Sequence, residues 1–177
     1  MALVHPAAIS HWSAMHHHGL TEQIPRKVFV STTQASMPRI AGTTYQFVQV
    51  KPEHFFGLEE VWIGEARVAI TDVARTLLDG LSMPRYCGDF AEVLHAFEVA
   101  PNVNLDRIVG YALRLGETIA KRLGWVLEKQ GVGPKRLRAL LETPIKGYRK
   151  LDPSGPRKGP YNSRWMIQEN LPGKLRA

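Results

Sequence analysis

Four histidines fall within eight residues near the start of the chain: His11, His16, His17 and His18. Neutral imidazole is a common metal ligand, and His11 and His18, seven residues apart, would share one face of a helix. A closed site needs further donors. No Cys and no suitably spaced carboxylate stands near them, so these histidines are expected to be surface or capping residues. Glu92 and His95 have the i, i+3 spacing of carboxylate-bridged di-iron bundles. Such sites require a second pair and two more Glu, so Glu92 is expected as an exposed helical residue. Glu65, Arg67 and Asp72 flank a predicted strand, loosely like the set that holds Mg²⁺ in a nuclease core. That set wants Lys where Arg67 stands and an Asp upstream, whereas Asp72 is the first Asp of the chain. Turn and helix-cap roles account for Glu65 and Asp72. Cys87 is the single cysteine. It excludes an internal disulfide and reads as a small buried hydrophobe in a reducing compartment. No G-x-S-x-G, Walker A or G-x-G-x-x-G motif is present. The expectation is a chain with no catalytic residues, no metal site and no cofactor.

The basic residues point elsewhere. Residues 1–120 hold nine Lys/Arg against twelve Asp/Glu, and residues 121–177 hold fourteen against four, net charges of −3 and +10. Clustered cations displace condensed counterions from phosphates, so a basic block suggests a polyanion, most simply DNA. Phosphate contacts need point charges and guanidinium forks but no fixed spacing. The candidate DNA-binding residues are Lys135, Arg136 and Arg138 on a predicted helix, then Arg149, Lys150, Arg157, Lys158 and Arg164. Trp125, Tyr148, Tyr161 and Trp165 are interleaved with them. Residues 117–142 also fit a helix–turn–helix with Gly131 in the turn, which would make residues 135–138 base readers. A plain helical hairpin has the same pattern.

The elements that must position these residues divide into a β-rich first half and an α-rich second half. Ser10 is a good N-cap for a helix to about His18, stopped by Gly19. Residues 27–33 are β-branched and aromatic, and residues 44–50 alternate apolar with polar, so both are predicted strands. Residues 34–42, with Pro38 and Gly42, form a predicted loop. Residues 58–63 and 66–70 flank Gly64-Glu65 as a hairpin. Asp72 caps a helix with Val73, Leu77, Leu78 and Leu81 inward, ended by Met83-Pro84. Gly88-Asp89 opens the next, with Phe90, Val93, Leu94 and Phe97 on one face and Pro101 as its stop. Asn104 caps a third, with Leu105, Ile108, Val109, Ala112 and Leu113 inward. A fourth spans 117–130 with Ile119, Leu123, Val126 and Leu127 as its stripe. Pro134 sits at the first position of a fifth, 135–142. Residues 144–177 then hold five of the twelve prolines and four glycines. They read as an extended tail, with short strands possible at Tyr148 and at 164–168. The fold class is α+β: a small mixed or antiparallel sheet packed by four to five helices. Residues 1–143 form the main domain, and the basic tail 144–177 packs on it.

With 177 residues, 44% of them hydrophobic and 22% charged, the chain is of ordinary globular composition. No run approaches the ~18 apolar residues of a membrane span. The start lacks the basic then apolar regions of a secretory leader. A cytoplasmic protein without membrane contact is expected.

Several segments resemble the antitoxin domain of the AbiEi family, from type IV toxin–antitoxin and abortive-infection systems. They are residues 9–25 (ISHWSAMHHHGLTEQIP), 28–33 (VFVSTT), 53–57 (EHFFG), 70–79 (ITDVARTLLD) and 151–162 (LDPSGPRKGPYN). The His-Gly-Leu-Thr and Thr-Leu-Leu-Asp elements are the more specific. The resemblance implies a bacterial transcriptional regulator without active-site residues. Family members usually bind operator repeats of their own operon through an N-terminal winged helix-turn-helix. The larger domain acts as antitoxin and supports cooperative autorepression. The functional partner would be a nucleotidyltransferase-like toxin, opposed without a tight complex, in phage resistance. This chain starts at the main domain, so it is expected to lack the winged helix.

Two other functions fit the residues. A protein-interaction module would use exposed aromatics such as Trp165 and Tyr161. A metal-dependent nuclease-like enzyme would depend on Glu65.

Overall fold

The computed structural model describes residues 4–35, 44–100 and 103–172. Most of the predicted loop at 34–42, the helix stop at Pro101, the first three residues and the last five lie outside the described residues.

The fold is α+β. Strands β1 (Ala7–Ile9), β2 (Val28–Thr32), β3 (Tyr45–Gln49), β4 (Leu58–Ile63) and β5 (Ala66–Thr71) make one five-stranded mixed sheet in the order β3-β2-β1-β5-β4. β1 runs antiparallel to β2 and parallel to β5, and β2 runs parallel to β3. β4 and β5 form the predicted hairpin, with Gly64 at φ 60° as the first of two loop residues. That left-handed geometry matches the twist of the flanking strands, and Gly adopts it without a Cβ penalty.

Helix α1 (His11–His17) follows β1 directly, and α2 (Val73–Ser82) follows β5. Next come α3 (Phe90–Val99), α4 (Leu105–Leu115), α5 (Glu117–Lys129) and α6 (Pro134–Glu142). The predicted caps close three of them. Asp72 accepts from the Arg75 N–H at 2.8 Å, Asp89 from Glu92 at 2.8 Å and Asn104 from Arg107 at 2.9 Å. The Ser10 side chain does not cap α1. It accepts instead from Ser31 Oγ on β2, within the sheet. Leu113, expected inward on α4, is 40% exposed. The inward arc of α4 consists of Ile108 and Ala112, and Leu113 falls just beyond it.

Helix α5 is the core's centre. Every residue from Ile119 to Leu127 is buried, so its apolar stripe is not the whole contact surface. Around it pack Leu77, Leu78 and Leu81 of α2, Phe90, Val93 and Phe97 of α3, and Leu137 and Leu140 of α6. Leu151, Trp165, Ile167 and Leu171, from the C-terminal stretch, join the same cluster.

Candidate nucleic-acid interface

Beyond α6 the chain has too little apolar sequence for another helix, and its backbone pairs as a second small sheet. Strands β6 (Arg149–Lys150), β7 (Tyr161–Asn162) and β8 (Ile167–Gln168) lie in the order β6-β8-β7. The expected strand at Tyr148 begins one residue later, and residues 164–166 are a turn. Strands this short do not hold alone. They are pinned by Trp165, which packs against α5 at Gly124, where a Cβ would overlap the indole six-membered ring. Its Nε1–H donates to Glu128 Oε2 at 2.7 Å. Trp165 was expected as an exposed docking aromatic; it is 0% exposed. The gap that admits it is an α5 glycine, a complementarity that exists only after packing.

Register then assembles the basic residues. Lys150 pairs with Gln168, which pairs with Tyr161, so these three form one cross-strand row on a single face. With Arg149, Arg157, Tyr148, Pro153 and Arg122 they line a groove of about 750 Å³. Arg149, Lys150 and Arg157 were named from sequence. Arg122 and Gln168 were missed. The available signal was an Arg inside the apolar run of a helix that is buried on every side from Ile119 to Leu127.

Neutralisation inside the basic region is uneven. Lys121 is buried and its Nζ donates to Leu140 O at 3.2 Å and Leu141 O at 2.7 Å, closing the end of α6. Burial holds its pKa below the usual lysine value. Arg122 donates from Nε to Lys150 O at 3.0 Å and from Nη1 to Leu81 O at 2.9 Å. Burial lowers its pKa to about 10, Asp152 opposing that effect and Arg149 adding to it. Arg138 is ion-paired to Glu142 and Arg164 to Glu128, each at 2.7 Å. Glu169 accepts from Trp125 Nε1 at 2.7 Å, and Asp152 from the Ser154 N–H at 2.8 Å. All four acids of residues 121–177 thus have local partners. Arg149 and Lys150 donate only to neutral carbonyls, of Lys146 at 2.9 Å and Gly155 at 2.6 Å. Arg157 and Lys158 are exposed and make no hydrogen bond or ion pair with any described residue. The groove therefore carries uncompensated positive charge, which is what a phosphate backbone requires.

Lys135 and Arg136 occupy the exposed first turn of α6, which has no acid in it. Cations there add to the positive end of the helix dipole. These two and Arg138 do not line the groove. Arg136 borders a separate hollow of about 280 Å³ among Phe97, Val103, Leu105 and Ile108. Of the predicted helix–turn–helix pair, only α6 is presented to solvent, because α5 is enclosed.

No protein-family model and no curated protein matches the chain. A solved structure does. The RV2827C protein from Mycobacterium tuberculosis has a similar fold, at a TM-score of 0.62 and 14% identity. The likeness covers 91% of this chain and 61% of that one, so the chain spans less than two thirds of that protein's length. At this identity the likeness is one of architecture alone.

The remaining candidates separate in space. His11 is fully buried, contrary to the surface or capping role expected, at φ 51° and edge-on to Tyr86. Its Nδ1 lies 2.8 Å from Ser10 Oγ, and its Nε2 has no hydrogen-bond partner among the described residues. Burial lowers its pKa, with Asp79 opposing and Arg75 reinforcing. His18 Nε2 donates to Thr71 O at 2.7 Å, while His16 and His17 are exposed. Glu92, expected exposed, is half-buried and accepts from Thr21 and Gln23, tying the segment after α1 to α3. Glu65 and Asp72 lie beyond opposite ends of the six-residue β5, about 20 Å apart along a strand. Asp72 also accepts from the Tyr111 hydroxyl at 3.0 Å. Cys87 is buried, its thiol pKa raised well above normal by burial and then by Asp79. No three His, Cys, Asp or Glu side chains among the described residues are grouped to hold a metal. No described helix is long and apolar enough to cross a membrane.

Proposed function

We propose that this chain is a non-enzymatic nucleic-acid-binding domain of a transcriptional regulator, acting as the antitoxin domain of an AbiEi-like type IV system. The observation that carries the reading is the groove in which Arg149, Lys150 and Arg157 converge with two tyrosines and little opposing charge. DNA would be held mainly through its phosphates, supporting autorepression at the operator of its own operon. Base reading would belong to the winged helix that AbiEi relatives carry, and the toxin would be nucleotidyltransferase-like. A cytoplasmic setting follows from that role.

The test is a titration against duplex DNA from the chain's own promoter and against a scrambled duplex, at several salt concentrations. Each phosphate contact contributes a slope of about −0.9 in log K against log salt. Arg149→Glu with Arg157→Glu is expected to lower affinity for both duplexes and flatten that slope by about two units. Lys135→Glu with Arg136→Glu measures the share carried by α6. Affinity unaltered by the groove pair would defeat the reading.

A protein-docking reading has one observation in its favour, on the five-stranded sheet. Trp62 is 69% exposed on β4, an edge strand. Salt-independent association lost with Trp62→Ala would support it.

A further inference from the structure

Two tyrosines line the groove beside its cations. Tyr161 is 64% exposed and Tyr148 41% exposed, the two most open aromatic side chains of the C-terminal region. Their rings meet edge to face, with centroids 4.7 Å apart and planes at 61°. That contact sets the two rings against each other, and both still line the groove as exposed residues. Neither hydroxyl is engaged with a described residue, so no internal hydrogen bond explains why the rings sit there. An open aromatic face beside cations gains most from a flat π-system whose own faces are free. Bases of a duplex are stacked on both faces, and those of a single strand are not.

We propose that this groove is a single-strand site, in which Tyr148 and Tyr161 stack on unpaired bases while Arg149, Lys150 and Arg157 hold the adjoining phosphates. The inference rests on the nucleic-acid reading above and names its substrate class. The groove floor supports it. Arg122 lines the groove, and its hydrogen bonds go to the neutral carbonyls of Lys150 and Leu81, so an entering phosphate would meet a guanidinium without an ion pair among the described residues. Gln168, buried in the middle of the cross-strand row, offers an amide to a base edge.

The full chain is titrated with labelled oligothymidylate, oligouridylate and a duplex of equal length, in matched salt. The single strands are expected to bind at least about fivefold tighter than the duplex. Tyr161→Ala and Tyr148→Ala are each expected to weaken single-strand binding about tenfold, with duplex affinity and salt slope unchanged. Tyr161→Phe keeps the ring and is expected to bind as the parent does. Arg157→Glu weakens single strand and duplex alike and flattens the slope. The two oligomers differ in sugar and in the thymine methyl group, and a preference for either over the duplex supports the proposal. Duplex bound as tightly as single strand, with Tyr161→Ala silent on both, overturns the single-strand site and leaves the DNA reading standing. No binding of any of the three at low salt overturns both. Unfolding temperatures of the exposed-tyrosine variants, expected to match the parent, separate these outcomes from misfolding.

Discussion

His11 is where one residue's environment changes what its type predicts. A histidine beside three others suggested surface chemistry, yet this one is buried edge-on to Tyr86 in left-handed backbone, which costs a non-glycine residue free energy. Its folded pKa lies below the free value of 6.5, chiefly through burial. The unfolded chain therefore binds more protons than the folded chain below about pH 6.5. Stability is full above that pH and falls as pH drops toward the folded pKa, with a limiting slope of about 1.4 kcal/mol per pH unit. Urea midpoints between pH 7.5 and 5 are expected to show this decline. His11→Asn, which tolerates positive φ and does not titrate, is expected to be less stable at pH 7.5 and to decline less steeply. Parallel curves for the two proteins would refute the assignment. The nearby charges that modulate the effect are Asp79 and Arg75, themselves a buried pair at 2.8 Å.

At the scale of elements, local chemistry was readable where one side chain serves its own segment. Asp72, Asp89 and Asn104 each bond to the backbone N–H three residues on, as N-caps do. Asp72 does more, because it also accepts from Tyr111 on α4 and, largely through burial and this bond, the Tyr111 pKa is raised. Asp72→Ala is expected to destabilise the fold by about 2 kcal/mol, the loss of a cap plus a hydrogen bond. Asp72→Asn, which keeps an acceptor, is expected to lose less than half of that in urea denaturation. Equal losses would mean that the carboxylate charge, rather than the cap, is what counts. Strand β1 escaped the sequence reading for a matching reason. Three residues, two of them Ala, have no periodicity and weak β preference. It is a strand because β2 and β5 both hydrogen-bond to it.

For the whole molecule, the decisive joint is between α5 and the C-terminal sheet. Trp165 reaches the core only because residue 124 has no Cβ. Gly124→Ala is favourable for an isolated helix, by roughly 1 kcal/mol. Here it is expected to be destabilising by about 1–3 kcal/mol, because the ring must move out of a filled core. The indole emission of Trp165 should shift to the red, and affinity for nucleic acid should fall without any change in charge. A stabilised variant with parental emission would show that the sheet is not held this way. The same joint explains why charge counting overstated the binding surface. Lys121 closes the end of α6 through two carbonyls, and Arg138 and Arg164 are ion-paired. Which cations remain for a ligand depends on contacts between segments far apart in the chain.

Legible in the residues alone are the features set within a few positions: the α+β class, the caps, the hairpin at Gly64, the five long helices and the basic C-terminal third. Periodicity, capping and turn chemistry are local, and local terms survive without a fold. Long-range packing is what makes Trp165 core, encloses His11, buries α5 on every side from Ile119 to Leu127, and brings Arg122, Arg149, Lys150 and Arg157 into a groove with two tyrosines. Those facts depend on cross-strand register and on one glycine meeting one indole, and no window of sequence contains both partners.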